Sequence, residues 1–303
     1  MHIAFGADNH YAQHLGVTIA SLLINLKPGI EPHIYIVTDG IKDENKEKID
    51  ALKSIRNFHL QYITVSLEDF KDFPLIAEYI TIATYFRLKL PYLLPQLDKV
   101  IYLDTDLIID GDISPMWEIE MADNDWIAGA VDLGIKKGFI ETIGMQPDDF
   151  YFNAGVIVMN LKALRANDFE NKCADFVRQY RSAIVYVDQD VLNKVCRGHV
   201  KWFDPKFNLV YGYLDKVHKL DRYHTPYTMA QKMNAVTNPV ITHFTGALKP
   251  WFYASRNKFA YKYMQYVKAT PWKDYQFPDR NFKNFKSKNL FFFRQWMKRV
   301  QGK

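Results

Sequence analysis

Lys99-Val100-Ile101-Tyr102-Leu103-Asp104-Thr105-Asp106 is the stretch that decides the fold. Four consecutive apolar or aromatic residues, three of them β-favouring, are followed at once by two carboxylates one residue apart. A run this short and apolar reads as a strand buried on both faces, as in a parallel sheet, with the acids at its C-terminal end. Working outward, the same figure recurs. The run from His2 ends at Asp8, and His33 to Val37 ends at Thr38-Asp39-Gly40. His59 to Val65 is a third strand, Trp126 to Val131 ends at Asp132, and Pro239 to His243 ends at the histidine. Ala154 to Leu161 is a long apolar strand entered through Asn153. Helical spacing lies between the strands: Leu15, Ile19, Leu22, Leu23 and Leu26 stop at Lys27-Pro28-Gly29, and Lys42 to Arg56 carries Ile49, Leu52 and Ile55 on one side. Thr84 to Leu90, Leu164 to Tyr180 and Gln189 to Cys196 also read as helices. Strands alternating with helices predict βαβ units and an α/β fold with a mainly parallel sheet.

In such sheets ligands bind beyond the carboxyl ends of the strands. Asp8, Asp104, Asp132 and His243 are all expected there, so one crevice can collect them. Asp104 and Asp106, flanking Thr105, can face one divalent cation if the chain turns between them. Oxygen ligands with at most one imidazole suit Mn²⁺ or Mg²⁺ better than zinc. Such a cation would clamp a diphosphate as it departs. Gly246 permits close backbone approach to phosphate, and Lys249 offers a point charge for it. Each has a plainer reading as well: a polar turn for the Asp-x-Asp triplet, a hydrogen-bonded structural residue for His243, a solvated charge for Lys249.

Other positions extend the crevice. Asp8-Asn9-His10-Tyr11 joins the first strand to the first helix and offers free amides, a carboxylate and a stacking ring. Arg87 can pair with phosphate or carboxylate, or form a helix-surface ion pair. Asp188 suits a helix N-cap, which leaves the polar pair Gln189 and Asp190 to hold sugar hydroxyls or to stabilise an oxocarbenium-like centre. No Gly-x-Gly-x-x-Gly or Walker loop occurs, which disfavours nicotinamide chemistry and ATP hydrolysis.

Composition fits a single folded enzyme. Of 303 residues, 48% are hydrophobic and 24% charged, enough apolar material for one large domain without a linker. The two cysteines, Cys173 and Cys196, read as reduced and partly buried. The opening Met1-His2-Ile3-Ala4-Phe5 reads as strand rather than signal peptide. The net charge of +5 is unevenly placed, because no acid follows Asp279 while Arg280, Lys283, Lys286, Lys288, Arg294, Lys298, Arg299 and Lys303 do. Leu290, Phe292, Phe293, Trp296, Met297 and Val300 add an aromatic face. Residues 280–303 therefore read as an amphipathic helix for an anionic membrane surface, or else as a terminal helix docked on the core. A nucleic-acid tail is the remotest reading of these charges.

Taken together, these motifs resemble glycosyltransferase family 8, and within it the bacterial lipooligosaccharide α-galactosyltransferases and α-glucosyltransferases. The resemblance spans residues 1–270. It rests on Ala7-Asp8-Asn9-His10-Tyr11, Thr84-Tyr85-Phe86-Arg87-Leu88, Tyr102-Leu103-Asp104-Thr105-Asp106, Phe152-Asn153-Ala154-Gly155-Val156, Asp188-Gln189-Asp190 and the segment from His243 through Gly246 and Lys249 to Trp251. It implies a GT-A fold, a Rossmann-like half that binds a UDP-hexose donor, Mn²⁺ (with Mg²⁺ as the other candidate) and retention of anomeric configuration. By the same resemblance Asp104, Asp106 and His243 are metal ligands. Ala7, Asp8, Asn9, Tyr11 and Thr105 serve the nucleotide side, and Gly246 and Lys249 the diphosphate. Arg87, Asp104, Asn153, Asp188 and Gln189 contact the donor sugar, and Asp132 lies where the sugar and acceptor pockets meet.

Gln189 is nearest the family's nucleophile position, with Asp190 as rival. A neutral amide is a poor nucleophile, so a front-face route is favoured, with Gln189 positioning. His10, Tyr79 after Glu78, and Phe252 after Trp251 depart from residues common in close relatives, leaving the hexose and acceptor unassigned. The expected function is hexosyl transfer from a UDP-sugar to a lipooligosaccharide, lipopolysaccharide or other glycan acceptor. The enzyme would be cytoplasmic, at the inner face of the cytoplasmic membrane, with 1–270 as catalytic domain and 271–303 as tail. The alternatives are a self-glucosylating or protein-glycosylating enzyme of the same fold, and a non-catalytic sugar-nucleotide- or glycan-binding module.

Overall fold

Alternation along the strands sorts the core into two layers. On β1 (His2–Gly6) Ile3 and Phe5 face one layer and Ala4 the other; on β4 (Lys99–Leu103) Ile101 and Leu103 oppose Val100 and Tyr102. In the computed structural model these strands join β2 (His33–Thr38), β3 (His59–Thr64), β6 (Ile127–Gly129), β7 (Val156–Asn160) and β8 (Val200–Trp202) in one seven-stranded sheet of order β3-β2-β1-β4-β7-β6-β8. All run parallel except β7, which is antiparallel to both neighbours. The mainly parallel α/β sheet expected from the sequence is the one observed. The structure describes residues 1–74, 81–210, 213–214, 217–247 and 249–300; Glu78 and Tyr79, noted above as departures, lie outside them.

The reversal at β7 has a consequence. The parallel strands deliver their C-terminal ends to one edge of the sheet, and β7 begins at that same edge. Asp8 and Asp104 therefore follow strands there, whereas Asn153 and Gly155 precede one.

Helices α1 (Ala12–Asn25) and α2 (Asp43–Asp50) cover the Ile3 face through Leu15, Ile19, Leu22 and Ile49. After the short turns α3 (Leu90–Leu93) and α4 (Ser114–Trp117) come α5 (Leu161–Ala166), α6 (Phe169–Tyr180) and α7 (Asp188–Val195). With the 3₁₀ segment Ile82–Lys89 they cover the other face. The sequence led us to expect one helix over 164–180. Two are found, because Asp168 takes a left-handed conformation (φ 53°) that interrupts the helix. Cys173 and Cys196 are free and buried.

A second, two-stranded sheet pairs β5 (Leu107–Ile109) antiparallel with β9 (Ile241–His243). β5 lies against α1, whose buried polar stripe satisfies its backbone. Ser21 Oγ accepts from Ile109 N at 3.0 Å, and Asn25 Nδ2 donates to Ile109 O at 2.9 Å. Beyond α8 (Met229–Thr237), α9 (Ala260–Val267) packs on the far side of α1 through Tyr263 and Val267.

Packing does not stop at residue 270. Trp272 lies against Gly16, where a Cβ would stand 2.3 Å from its ring. The terminal helix α10 (Phe282–Val300) begins only later. No helix among the described residues is long and apolar enough to cross a membrane.

Candidate active site

The turn after β4 is built from three directions. Asp104 N donates to Gly155 O at 2.8 Å. Thr18, fully buried on α1, donates to both Thr105 O (3.0 Å) and Leu107 O (2.9 Å), which bends the chain so that Asp104 and Asp106 face one side. β5 then pairs with β9 so that Leu107 stands opposite His243. His243 Nε2 comes to 3.2 Å from Asp106 Oδ1 and 3.6 Å from Asp104 Oδ2. These three side chains form a group whose ligand atoms lie within 4.8 Å of one another. The expected convergence is observed, although His243 arrives from the second sheet rather than the first.

The donor set fits a hard divalent cation. His243 Nδ1 faces two amide oxygens, Asn153 Oδ1 at 3.0 Å and Asn208 Oδ1 at 3.2 Å. Both accept, so Nδ1 carries the hydrogen and the Nε2 lone pair is turned to the carboxylates. Gly155 closes the floor: a Cβ there would lie 2.2 Å from His243 Cε1 and 2.4 Å from Asp104 Oδ2. Asn208 is buried between Phe207 and Leu209, and the sequence reading passed over it. Its signal was a polar residue inside an apolar run.

Lys249 closes one side of the group. Its Nζ donates to Asp106 Oδ2 at 2.5 Å and to Phe244 O at 3.0 Å. Burial raises the Asp106 pKa, but the Lys249 ammonium outweighs it and holds the carboxyl well below the ordinary range. Burial lowers the Lys249 pKa, and Asp106 more than restores it. Lys249 is thus a buried cation, not a solvated one. Gly246 lines the same cleft at φ +87°, a conformation that favours glycine.

On the β1 side Ala7, Asp8 and Tyr11 line the cleft, and Asp8 Oδ1 caps the following turn at Tyr11 N (3.0 Å). Burial raises the Tyr11 phenol pKa. Asn9 does not join them. Its Oδ1 accepts from Lys42 N and Asn45 Nδ2, both at 3.0 Å, which ties it to the start of α2. The Asn9 side-chain oxygen is thus turned to α2, while Asp8 and Tyr11 on either side of it line the cleft.

Arg87 is no surface residue. Only 4% exposed, it donates to Asp104 Oδ1 (2.7 Å), Ala154 O (2.6 Å) and Thr84 O (3.0 Å), lies 2.9 Å from Asp188 Oδ2 as an ion pair, and stands with its guanidinium 4.3 Å from the centre of the Tyr102 ring. Asp188 correspondingly is no helix cap. Val187 occupies that position, and the Asp188 carboxylate turns to Arg87 and to the Thr84 hydroxyl. Burial pushes the Asp188 pKa up to about 6 against the opposing pull of Arg87. Val187 is held at φ 46°, costly for a β-branched residue and typical of over-determined functional turns.

Gln189 completes the floor. Its Oε1 accepts from Asn153 Nδ2 and Ala154 N, both at 3.0 Å, and its Nε2 donates to Asp132 Oδ2 at 3.3 Å. Asp132 also accepts from Asn153 Nδ2 (3.1 Å) and Gly134 N (2.7 Å). Asp190, the rival candidate, has no exposed surface and accepts from Tyr151 Oη (2.5 Å), Val185 N (2.7 Å) and Tyr186 N (2.8 Å). It is absent from the cleft wall, so the structure assigns it to holding the 185–186 turn. The cleft itself measures about 700 Å³ and gathers Asp8, Arg87, Asp104, Asp106, Asp132, Asn153, Asp188, Gln189, His243 and Lys249. Thr84 and Tyr186 line it too, and neither had been singled out.

Comparison with known proteins agrees with this arrangement. The family model for glycosyl transferase family 8 matches residues 2–255. The lipopolysaccharide 1,3-galactosyltransferase of Salmonella typhimurium is 26% identical, covering 89% of this chain and 78% of that one. The lipopolysaccharide 1,2-glucosyltransferase of Escherichia coli K12 is 27% identical over 90% and 79%. The crystal structure of the galactosyltransferase LgtC in complex with donor and acceptor sugar analogs superposes with a TM-score of 0.81. It is 30% identical, covering 89% of this chain and 96% of that one. The sheet, its order and its flanking helices are those of the GT-A fold.

Proposed function

The chain belongs to glycosyl transferase family 8, and on that premise we propose that it is a retaining hexosyltransferase that moves galactose or glucose from a UDP-sugar to a lipooligosaccharide, lipopolysaccharide or other glycan. The observation that carries this reading is the Asp104–Asp106–His243 group with the buried Lys249 beside it, in one cleft with Asp132, Asn153, Asp188 and Gln189. Asp104, Asp106 and His243 would hold Mn²⁺ or Mg²⁺, which when bound supplies Lewis-acid stabilisation to the charge growing on the departing diphosphate. Lys249 adds a fixed positive charge at the same place, and the Gly246 backbone lets phosphate approach closely.

The sugar-side residues support a front-face route. Both acceptor positions of the Gln189 amide are engaged by Asn153 and Ala154, so its oxygen has no lone pair directed at an anomeric carbon. Gln189 instead offers an N–H beside Asp132. Arg87 pairs with Asp104 and Asp188, and Lys249 with Asp106; Asp132, beside Gln189 and Asn153 and away from Asp8 on the β1 side, has only neutral donors as its contacts. We assign Asp132 to accepting hydrogen bonds from sugar and acceptor hydroxyls. On this route the acceptor proton passes to the leaving phosphate, on the face the donor phosphate occupied, and configuration is retained.

The terminal helix supports a membrane location for this reaction. Phe282, Phe285, Leu290 and Phe293 on α10 are exposed, and the segment after Asp279 carries no acid. Residues 280–303 are proposed to hold the enzyme peripherally on anionic lipid at the inner face of the cytoplasmic membrane, near a lipid-linked acceptor.

A screen of UDP-galactose against UDP-glucose, with Mn²⁺ or Mg²⁺ and proton NMR of the anomeric product, tests the catalytic reading. UDP with Mn²⁺ should raise the melting temperature, and Asp106→Ala should abolish turnover. Full activity of that variant, or an inverted product, would sink the assignment. Sedimentation with phosphatidylglycerol but not phosphatidylcholine vesicles is expected, and equal behaviour with both would refute the location.

A further inference from the structure

The basic residues at the start of the terminal segment are not all turned to solvent. Lys288 Nζ donates to Tyr253 O at 2.8 Å and stands 4.7 Å from the centre of the Tyr253 ring, with the Arg280 guanidinium 5.8 Å from the same centre. The last acid of the chain, Asp279, spreads its carboxylate over two backbone amides: Oδ1 accepts from Tyr253 N at 2.6 Å, and Oδ2 from Ala254 N at 2.9 Å. Asn284 Nδ2 donates to the Asp279 main-chain oxygen at 2.7 Å, fixing the acid at the base of α10. Tyr275 Oη donates to Trp251 O at 2.8 Å. Three residues of the 275–288 segment thus grip the backbone of 251–254.

That backbone is the far post of the loop bearing Gly246 and Lys249. Its near post is β9. Trp251 is held from inside by the His14 ring, stacked at 3.6 Å between centroids and 9° between planes. Tyr11, on the cleft wall, meets the same indole edge-on at 5.8 Å. His14 is pinned in turn by Tyr263 Oη at 2.7 Å. Charge-assisted hydrogen bonds to the backbone are stronger than neutral ones; Lys288 makes one and Asp279 two, the shorter at 2.6 Å, so Asp279 is the firmest of these outer ties.

We propose that Asp279, with Tyr275, is a positioning residue for the nucleotide-diphosphate donor: it fixes the 251–254 backbone so that Lys249 and Tyr11 stay aimed at the diphosphate and base. Residues 272–288 are then part of the donor site and not only a link to a membrane helix. The inference rests on the donor reading above.

The test uses the full-length chain with UDP and Mn²⁺ as probes. Asp279→Ala is expected to weaken UDP affinity in the presence of Mn²⁺ by about tenfold, the scale of a small misplacement of a contact. The donor KM should rise with it and kcat should fall, since Lys249 also faces the departing diphosphate, while the acceptor KM changes little. Asp279→Asn, which retains one acceptor, should recover part of the loss. Hydrogen exchange at Tyr253 and Ala254 in the ligand-free variant should quicken, with exchange in β1 and β4 unchanged.

A lower melting temperature with parental UDP affinity and donor KM would overturn the proposal, because a purely structural anchor behaves that way. If Asp279→Ala does not fold, Tyr275→Phe decides by the same readouts. Failure of the parent chain itself to bind UDP would refute the donor reading instead.

Discussion

Replacing Gly155 by alanine attacks the site through the residue with least room. The added Cβ would lie 2.2 Å from His243 Cε1 and 2.4 Å from Asp104 Oδ2, each about 1 Å inside the 3.4 Å at which ordinary contact begins. Neither neighbour can swing away cheaply. His243 is tied by Nδ1 to Asn153 and Asn208 and by its backbone to β5. Asp104 is gripped by Arg87 at 2.7 Å, and its own amide is bonded to Gly155 O. Relief must come from moving ligands or strand by about 1 Å. Metal–ligand distances tolerate only about 0.2 Å, and a 1 Å misplacement costs about 100-fold in rate. Turnover should therefore fall at least about 100-fold, and Mn²⁺ affinity should fall with it. Overpacking lowers global stability by only about 1–3 kcal/mol, so the protein should still fold. Calorimetric titration with Mn²⁺ and UDP, donor turnover and a thermal melt read the three effects separately. A folded Gly155→Ala protein with parental Mn²⁺ affinity and turnover would refute the idea that these side chains form the metal seat.

Asn208→Leu removes a partner of His243 Nδ1 without touching a ligand; Mn²⁺ affinity should drop about 10–100-fold, and an unchanged titration would count against the tautomer argument. Asp188 has a pKa raised from 3.8 to about 6, so the folded protein favours its protonated form. The stability it lends is present at low pH and is lost as pH rises through about 6, whereas its ionised contact with Arg87 is gained over the same range. Catalytic efficiency should therefore decline below about pH 6, and an acid limb that persists unchanged in Asp188→Asn would exclude Asp188 as its source. Asp190→Ala leaves the Val185 and Tyr186 amides and the buried Tyr151 hydroxyl without their acceptor. It should cost about 2–4 kcal/mol in urea unfolding, and a loss of turnover with stability intact would restore Asp190 to the catalytic set.

What the sequence determined by itself is the set of strand ends. A buried strand can finish in Asp104 only where the chain leaves the sheet, so Asp8, Asp104 and Asp132 were assignable to one edge from the apolar runs before them. The cleft, its metal-type triad and its Gly246–Lys249 segment were legible for that reason. Side-chain partners were not, because they are set by residues far away in the chain. Asp188 looked like a cap since capping is a local signal, yet Arg87, about a hundred positions earlier, draws it away. Asp190 stands two residues from Asp188 and faces inward, since two residues carry a helix about 200° round, to its opposite side. Asn9 follows Asp8 directly but is claimed by α2. Asn208 gave no local hint of its tie to His243, and Asp279 none of its hold on Tyr253. Local patterning fixes where a backbone leaves the sheet; which polar group meets which is decided only when distant segments pack, and the tertiary structure alone holds that.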